Sequence, residues 1–424
     1  MNDIEERGKT SSKRDRYIVL AAAALGWFLA GPQLGLTSLA MRSAAVDLLG
    51  TTEKAIVGAW FSYYVCAFLL GAAAGGLVFG WIGDRIGRTK ALALAIVTYS
   101  VLSGLTYFVK TPEQLLLFRF LTCMGVGGTW PNGVALVSEA WANLSRPMVA
   151  GIIGTAVNVG IFGMGALASI YEISPEQWRW ILLVGAAPVF VGVLVPFVVP
   201  ESPTWLASRS GGSAEAAKPA SISEVFRPPL LKLTVIGILL GAVPLIGGWG
   251  SANWVMPWAD QVGEAMDPPD PFLKGRLQMS RSITGIVGSV LGGVMASYFG
   301  RRKTYFALSL IALAASQLLF RAMDPATTQF LIMFGVLGFF SGAFFGWLPF
   351  CLPELFPTRV RSTGVGVSFN WGRILSVVAV LTSGTLVAAT GGFAELGRVT
   401  SFIYLVGMVV ILFAPDTSKV NMED

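Results

Sequence analysis

Three arginines stand inside long apolar runs of this sequence, where a permanent charge is costly. Arg119, Arg281 and Arg373 each lie well inside such a run, and the runs contain no Asp or Glu at comparable depth. Placing a charged side chain in hydrocarbon costs about 2.5–3.5 kcal/mol or more on insertion scales. A guanidinium can bind a carboxylate or a phosphate through two parallel hydrogen bonds. The three arginines therefore indicate that the protein binds an anion.

The apolar runs themselves indicate the class of protein. The chain has 424 residues, of which 54% are hydrophobic and only 13% charged, and its mean hydropathy is +0.67. A soluble protein carries roughly a quarter charged residues. A run of about twenty apolar residues forms a helix long enough to cross a ~30 Å hydrocarbon core. The sequence therefore predicts an all-α membrane protein with many spans, and the lipid bilayer as its first partner.

Twelve apolar runs, separated by charged breaks, predict twelve transmembrane helices. The longest polar break falls between the sixth and the seventh run. It divides the chain into an N-terminal six-helix bundle (1–200), a cytoplasmic linker (201–230) and a C-terminal six-helix bundle (231–424). The predicted spans are 17–40, 55–80, 91–109, 114–138, 147–171, 179–199, 231–257, 275–297, 304–322, 329–352, 362–388 and 397–414.

Internal repeats support this division. "GWIGDRIGRTK" (80–90) aligns with "GVMASYFGRRK" (293–303) at an offset of 213 residues. "SEAWANLSRPMVAG" (138–151) aligns with "PELFPTRVRSTGVG" (353–366) at an offset of 215. Repeats that relate two halves of a chain are typical of membrane transporters. We therefore expect two pseudo-symmetric bundles.

The remaining composition sets the orientation and excludes some chemistry. Lys and Arg concentrate in the tails and in alternate loops, which predicts a multi-pass protein of the cell (inner) membrane with both termini cytoplasmic. The three cysteines lie within apolar blocks, which argues against a disulfide framework. The chain has no histidine, so it lacks the usual imidazole proton relay. We expect no metal site, no cofactor and no nucleic-acid partner.

The 80–90 motif resembles the loop between helices 2 and 3 of the major facilitator superfamily. With the twelve spans and the repeat, the resemblance covers nearly the whole chain. "PESPTWL" and "PELFPTRVRSTG" resemble the branch that holds sugar porters, organic-ion transporters, and aromatic-acid and sialic-acid symporters. "FRFLTCMGVGGTWPNG" is similar to bacterial acid-transporting members. The resemblance implies the major facilitator fold, transport by alternating access, and a monomer.

The resemblance also implies a cytoplasmic latch that breaks during turnover. In the 80–90 loop, glycines allow close helix approach, and Asp84 can cap a helix or pair with a basic residue. The C-terminal copy has Ser297 in the place of Asp84, so we expect a weaker latch there. The predicted gating residues are Gly80, Gly83, Asp84, Arg85, Gly87, Arg88, Glu139, Arg146, Glu201, Arg301, Glu354, Arg359 and Arg361.

Depth separates the three arginines. Arg373 lies near the middle of its span, at the level where transporters of this kind bind substrate. Arg281 and Arg119 are shallower, and for Arg119 helix packing or gating is the alternative, because family members often carry an arginine there. At the offset of 215, Arg373 corresponds to Asn158. The other residues expected to face the substrate are Asn158, Asn370, Thr155, Gln33, Tyr63, Tyr64, Trp130, Asn132, Asn253 and Trp254.

The coupling ion is the point where the family pattern fails. Many acid symporters of the resembled branch have "GGEW" where this chain has "GGTW", with Thr129 in the acidic position. Proton coupling needs a group that changes its protonation, usually a carboxylate in the cavity, and a guanidinium stays charged. We therefore expect any proton coupling to run through the substrate's carboxyl group or a residue near the membrane surface. Sodium coupling, exchange and uniport stay open.

The leading interpretation is a secondary transporter of a small organic anion, with Arg373 as its main anion-binding residue. The alternative within transport is a neutral sugar or polyol carrier with structural arginines, although helix 7 lacks the "QQxSG" run of sugar porters. A non-transporting membrane receptor is the alternative from another class. An enzyme is disfavoured, because the sequence shows no nucleophile–base pair, metal cluster or nucleotide loop.

Overall fold

The computed structural model describes residues 12–140, 146–203, 205–206, 222–357, 360–390, 392–415 and 417. This part of the chain is helical, with no strand among its residues. The long helices are α1 (Lys13–Leu49), α2 (Lys54–Ile86), α3 (Arg88–Thr106), α4 (Pro112–Ala140), α5 (Arg146–Ala168), α6 (Trp180–Val198), α7 (Leu231–Ala265), α8 (Leu273–Phe299), α9 (Arg301–Ala322), α10 (Thr328–Cys351), α11 (Arg361–Thr390) and α12 (Phe393–Phe413).

Each of the twelve predicted spans coincides with one of these helices. Ten helices of the described chain are long and apolar enough to cross a membrane. Helix α5 adds a shorter apolar stretch, Gly154–Ala168. Helix α4 is 29 residues long and carries polar residues such as Arg119 and Asn132 among its apolar ones. The predicted fold class is thereby confirmed.

Several helices extend beyond their predicted spans, and the extensions of α1 and α7 matter most. Helix α1 was expected to end at residue 40 but continues to Leu49, where Gly50 (φ 62°) caps it. Helix α7 continues past residue 257 to Ala265. Charged residues in both extensions interrupt the apolar pattern that the prediction follows. The helices continue because those charges are paired inside the protein, as described below.

Helix α7 is also irregular in its middle. Residues Leu245–Trp249 form a π-helix directly after Pro244. Proline has no N–H to donate to the helix, and π-bulges are frequent at functional sites. The Gly248 carbonyl in this stretch accepts a hydrogen bond from the Arg281 side chain of α8.

Close packing through small residues holds each half together. Helix α2 packs against α4, and α8 against α10, as the repeat requires. A Cβ atom at Gly75 would overlap the Met124 carbonyl, and one at Gly292 would overlap the Ala343 carbonyl. Small residues allow helix backbones to approach closely in membranes. The two halves meet along two seams, α2 with α11 and α5 with α8.

The helix ends define two faces of the molecule. We call the face that holds the loops at 50–53, 107–111 and 266–272 the Arg42 face, after the arginine near the end of α1. The opposite face holds the turns at Gly87 and Gly300, and we call it the Arg88 face. The charged residues of these two faces form different kinds of contact.

Candidate substrate site and gates

Arg373 lies on the seam between α2 and α11. Its Nη1 donates to the backbone carbonyl of Ala72 in α2 at 3.2 Å and to Asn370 Oδ1 at 3.3 Å. Its guanidinium carbon lies 4.8 Å from the ring centroid of Phe369. Both hydrogen-bond acceptors are neutral, and within the described residues no carboxylate pairs with this half-buried side chain. The guanidinium therefore has no counter-charge in the described chain, and water or a ligand must stabilise it.

Asn158 holds the equivalent position on the other seam, between α5 and α8. Its Nδ2 donates to Ser289 Oγ at 3.0 Å. One turn earlier, Thr155 Oγ1 is buried and has no hydrogen-bond partner in the described part of the chain. A buried polar group without a partner is uncommon and points to a missing ligand or water. This seam is therefore polar but uncharged.

The repeat offsets relate the two seams in detail. The offset of 215 pairs Arg373 with Asn158, and the offset of 213 pairs Ala72 with Gly285. Asn158 Oδ1 lies 3.4 Å from the position that a Cβ atom of Gly285 would occupy. Asn158 is therefore next to Gly285 on its seam, as Arg373 is next to Ala72 on the other. The pseudo-symmetry thus places one cation and one amide at matching points of the interface between the halves.

Arg281 lies in α8 and faces the π-helix of α7. Only 6% of the residue is exposed. Its Nη2 donates to the Gly248 carbonyl at 3.3 Å and to Ser341 Oγ at 3.5 Å. The guanidinium carbon lies 5.7 Å from the centroid of the Trp249 ring. These contacts are long and neutral, so this second buried cation also lacks a carboxylate partner among the described residues.

An aromatic pair connects Arg281 with the seam that holds Arg373. Trp249 stacks on Phe68 of α2, with 5.7 Å between the ring centroids. Phe68 lies one turn from Ala72 on the same face of α2, because residues four apart share a helix face. A chain of contacts therefore runs from Arg281 through Trp249 and Phe68 to the part of α2 that Arg373 contacts. This arrangement can hold an anionic group and a flat apolar body together.

Arg119 and Gln33 lie away from both seams. Arg119, 1% exposed, donates from Nη2 to Thr37 Oγ1 at 2.6 Å and from Nη1 to Gln33 Oε1 at 3.3 Å. Gln33 in turn donates from Nε2 to the Gly185 carbonyl at 3.0 Å and is fully buried. These contacts tie α1, α4 and α6 together. For Arg119 they favour the packing alternative.

Four further residues from the sequence prediction are spread through the packing of the N-terminal half. Tyr64 is fully buried, Tyr63 is partly exposed, Trp130 contacts Trp27, and the buried Asn132 donates to the Phe79 carbonyl at 3.0 Å. The structure does not bring them together with the arginines.

Asn253 and Trp254 lie in α7 just beyond the π-helix. Trp254 packs between Phe61 of α2 and Phe393 of α12, with centroid distances of 6.4 Å to each. Asn253 Oδ1 and Trp254 Nε1 are buried without a partner in the chain as described. The three aromatic rings pack together and connect the two halves. They lie between the Arg42 face and the level of Arg281 and Arg373.

An ion cluster that the sequence analysis missed closes the Arg42 face. Arg42 Nη1 lies 2.6 Å from Asp260 Oδ2 and 2.6 Å from Glu264 Oε1. Lys274 Nζ lies 2.6 Å from Asp260 Oδ1 and 2.7 Å from the Ile173 carbonyl. Arg42 and Ile173 belong to the N-terminal half, and the other three residues belong to the C-terminal half. These contacts therefore bind the halves to each other.

The cluster was missed because its charges lie just beyond the predicted span ends. The sequence does contain a signal, since Asp260 and Glu264 follow the predicted end of α7 at a spacing of four residues. Carboxylates at that spacing lie on one helix face. Their basic partners come from α1 and α8, which no local pattern identifies.

On the Arg88 face the described ion pairs stay within one half. Arg88 pairs with Asp84, and its Nε lies 3.5 Å from Glu139. The Glu201 carboxylate accepts from the backbone N–H groups of Arg88 (2.8 Å) and Thr89 (3.1 Å), so it caps the start of α3. In the other half, Arg301 pairs with Glu354 at 3.0 Å. These contacts order helix ends within each half.

The predicted gating glycines and basic residues differ in their surroundings. A Cβ at Gly83 would overlap Asn132, as close approach requires, whereas a Cβ at Gly80 meets nothing within 4 Å, so the expected close approach at Gly80 is wrong.

Among the predicted gating arginines, Arg85 lies over Trp81, and Arg361 donates to the Phe356 carbonyl. Ser297 donates to its own helix, at the Gly293 carbonyl. Arg359 and the side chain of Arg146 lie outside the described residues.

Comparisons with known proteins agree with the fold. A family model described as "Sugar (and other) transporter" matches residues 20–225. The cis,cis-muconate transport protein of Acinetobacter baylyi is 27% identical over 403 residues, which cover 93% of this chain and 94% of the relative. The gallate transporter of Pseudomonas putida is 27% identical over 378 residues, covering 81% and 82%. The crystal structure of a D-xylose-proton symporter superposes with a TM-score of 0.74 at 18% identity, covering 95% and 98%.

Proposed function

We propose that the chain is a transporter of the major facilitator superfamily and that it carries a small organic anion across the membrane by alternating access, with Arg373 as the main anion-binding residue. One observation carries this proposal. The Arg373 guanidinium is half-buried on the seam between the halves, and in the described chain it contacts neutral acceptors only. An anionic cargo would supply the missing counter-charge.

The surroundings of Arg373 support a carboxylate-type metabolite as the cargo. Arg281 provides a second buried cation, and the Phe68–Trp249 pair beside it provides an apolar wall. Asn370, Asn158 and Thr155 offer neutral hydrogen-bonding groups at the two seams. Two of the relatives named above are transporters of organic acids. We include Arg373, Arg281, Asn370, Asn158 and Thr155 in the site and assign Arg119 and Gln33 to helix packing.

The orientation is part of the same proposal. The Lys and Arg distribution favours both termini, and with them the Arg88 face, on the cytoplasmic side of a cell membrane. The Arg42 face then points outwards. With its ion cluster closed, the structure corresponds to a state in which the central site is shut off from the outside.

The test compares ligand binding by the purified protein and by two arginine variants. Thermal-shift and equilibrium-binding assays would use cis,cis-muconate and gallate as anions and D-xylose as a neutral ligand, because a ligand stabilises the state that it binds. We expect Arg373→Ala to weaken anion binding about 100-fold, since losing one partner of a buried charge pair costs about 2–5 kcal/mol. Arg373→Lys should restore part of the affinity.

The matched control is Arg321→Ala, at an exposed arginine near the end of α9 that contacts Gln317. It should bind anions like the wild type. Unchanged anion affinity in Arg373→Ala would refute the proposed role, and stabilisation by D-xylose alone would favour the neutral-sugar alternative. Uptake into proteoliposomes, with and without a pH or sodium gradient, would then identify a co-transported proton or sodium ion.

A further inference from the structure

The ion cluster on the Arg42 face takes no part in the proposed anion site. We infer that Asp260 is a proton-binding site, and that a proton bound there opens the Arg42 face. The inference rests on alternating access and on the proposed outward orientation of this face, but not on the identity of the cargo.

Asp260 has a special place in the cluster because it contacts both cations. Its Oδ2 lies 2.6 Å from Arg42 and its Oδ1 lies 2.6 Å from Lys274. All three side chains are less than 10% exposed, whereas the Glu264 side chain is 52% exposed. Asp260 is thus the buried centre of the closure, and Glu264 is at its rim.

The charges of the closed cluster balance. Arg42 and Lys274 supply two positive charges, and Asp260 and Glu264 supply two negative ones. A proton on Asp260 leaves Lys274 with only neutral acceptors, the Ile173 carbonyl and the Ser43 hydroxyl. A buried ammonium without a counter-charge is strongly unfavourable. Protonation therefore destabilises the closed face.

Opening changes the surroundings of Asp260 in the opposite sense. When the halves separate at this face, Arg42, Ser43 and Ile173 leave with the N-terminal half. Asp260 then keeps one cation, Lys274, instead of two, and gains access to water. A proton on Asp260 therefore costs the closed face an ion pair with Arg42 that the open face has already given up, so it shifts the population towards the open state.

Three other ion pairs lie near this face. Asp47 pairs with Arg179, Asp270 with Arg276, and Glu395 with Arg398. All six side chains are at least 20% exposed. The groups that face Asp260 are Arg42 from α1, Glu264 from its own helix and Lys274 from α8.

This site supplies a chemistry that the central arginines lack. A guanidinium stays charged throughout the cycle, and position 129 of α4 holds a threonine. Asp260 lies near the end of α7 on the face proposed to point outwards, so opening of that face brings it into contact with the external medium. External acid then opens the face through which an external anion reaches Arg373.

The experiment measures opening directly and needs no substrate. Spin labels at Thr52→Cys, in the loop after α1, and Pro269→Cys, in the loop before α8, report the distance between the halves by electron double resonance. The background lacks the native Cys66, Cys123 and Cys351. Distances are recorded in nanodiscs from about pH 8 to about pH 4, which reaches the ordinary titration range of a carboxyl group.

We expect the longer distance to gain population as the pH falls in the wild type. Asp260→Asn should remove the pH response and favour the open state, with an open-to-closed ratio at pH 8 about tenfold above that of the wild type, within the usual range of coupling between sites. Glu264→Gln should keep the pH response, because Asp260 still contacts both cations. Asp270→Asn, in an exposed pair on the same face, is the matched control and should behave as wild type.

Lys274→Met removes a cation and leaves the carboxylate, so it should open the face but retain a pH response. It provides a second test if Asp260→Asn does not fold. A wild-type distance that is independent of pH, or an Asp260→Asn variant that follows the wild-type pH profile, would overturn the inference. Neither result bears on Arg373, whose anion binding is measured separately.

Discussion

The two faces of this protein carry ion pairs of the same residue types, but the pairs connect different parts of the molecule. On the Arg42 face, Arg42 pairs with Asp260 and Glu264 across the boundary between the halves. On the Arg88 face, Arg88 pairs with Asp84 in its own half, and Arg301 with Glu354 in its own half. The ion pairs of the Arg42 face therefore connect the two halves, whereas the described pairs of the Arg88 face connect helices of the same half.

Burial also separates the Arg42 cluster from the Arg88–Asp84 pair. The side chains of Asp260 and Lys274 are 9% and 2% exposed, whereas that of Asp84 is 65% exposed. An exposed ion pair contributes about 0–1 kcal/mol, but removing one partner of a buried pair costs about 3–5 kcal/mol. Mutations at the Arg42 face should therefore change the balance between conformations, and those at the Arg88 face should mainly change local stability.

The largest effect is expected from Arg42→Ala. It leaves the buried Asp260 with Lys274 alone, and should destabilise the closed face by about 3–5 kcal/mol. The spin-label distance between the loops at 52 and 269 should lengthen, with little change in helix content by circular dichroism. Arg276→Ala, which removes an exposed arginine on the same face, is the control. A closed Arg42→Ala protein would show that the cluster does not lock the halves.

An intermediate effect is expected from Gly87→Ala on the Arg88 face, with Gly300→Ala as its matched variant. Both glycines have positive φ angles, 108° and 91°, so alanine costs about 1–3 kcal/mol at either position. A Cβ at Gly87 would also overlap the Glu201 carboxylate, whereas one at Gly300 meets nothing within 4 Å. Thermal unfolding should show the larger loss for Gly87→Ala. Equal losses would mean that the Glu201 cap adds no constraint.

The smallest effect is expected from Asp84→Asn. The exposed pair with Arg88 should contribute about 0–1 kcal/mol, and Arg88 keeps its contact with Glu139. Thermal stability should change little, and the distance across the Arg42 face should not change. A pronounced opening or closing there would show that this pair also acts between the halves, contrary to the comparison above.

The sequence predicted the helices well because, in a bilayer, whether a segment forms a transmembrane helix depends mainly on the residues of that segment. Each span needs about twenty apolar residues, and such a run is visible without knowing its neighbours. The sequence repeat also predicted that Arg373 corresponds to Asn158. The structure places the two residues at matching points of the two seams. The prediction failed where a charge ended an apolar run, as at Arg42 and Asp260.

The roles of individual polar residues could not be predicted in the same way. Arg119 and Arg373 are the same residue type in similar apolar runs, but Arg119 hydrogen-bonds to α1 inside one half and Arg373 reaches across a seam. The difference depends on which way each helix is rotated. Rotation follows from packing against several other helices at once, and hydropathy does not record it.

The sequence by itself determined the class of protein, the number of helices and the two-fold repeat, because these depend on composition and local pattern. The tertiary structure alone decided the lock on the Arg42 face, whose partners Arg42 and Asp260 lie 218 residues apart. It also decided that Arg373 and Arg281 are left without carboxylate partners in the described chain. Contacts over such separations depend on how twelve helices pack together, which no single segment of the sequence encodes.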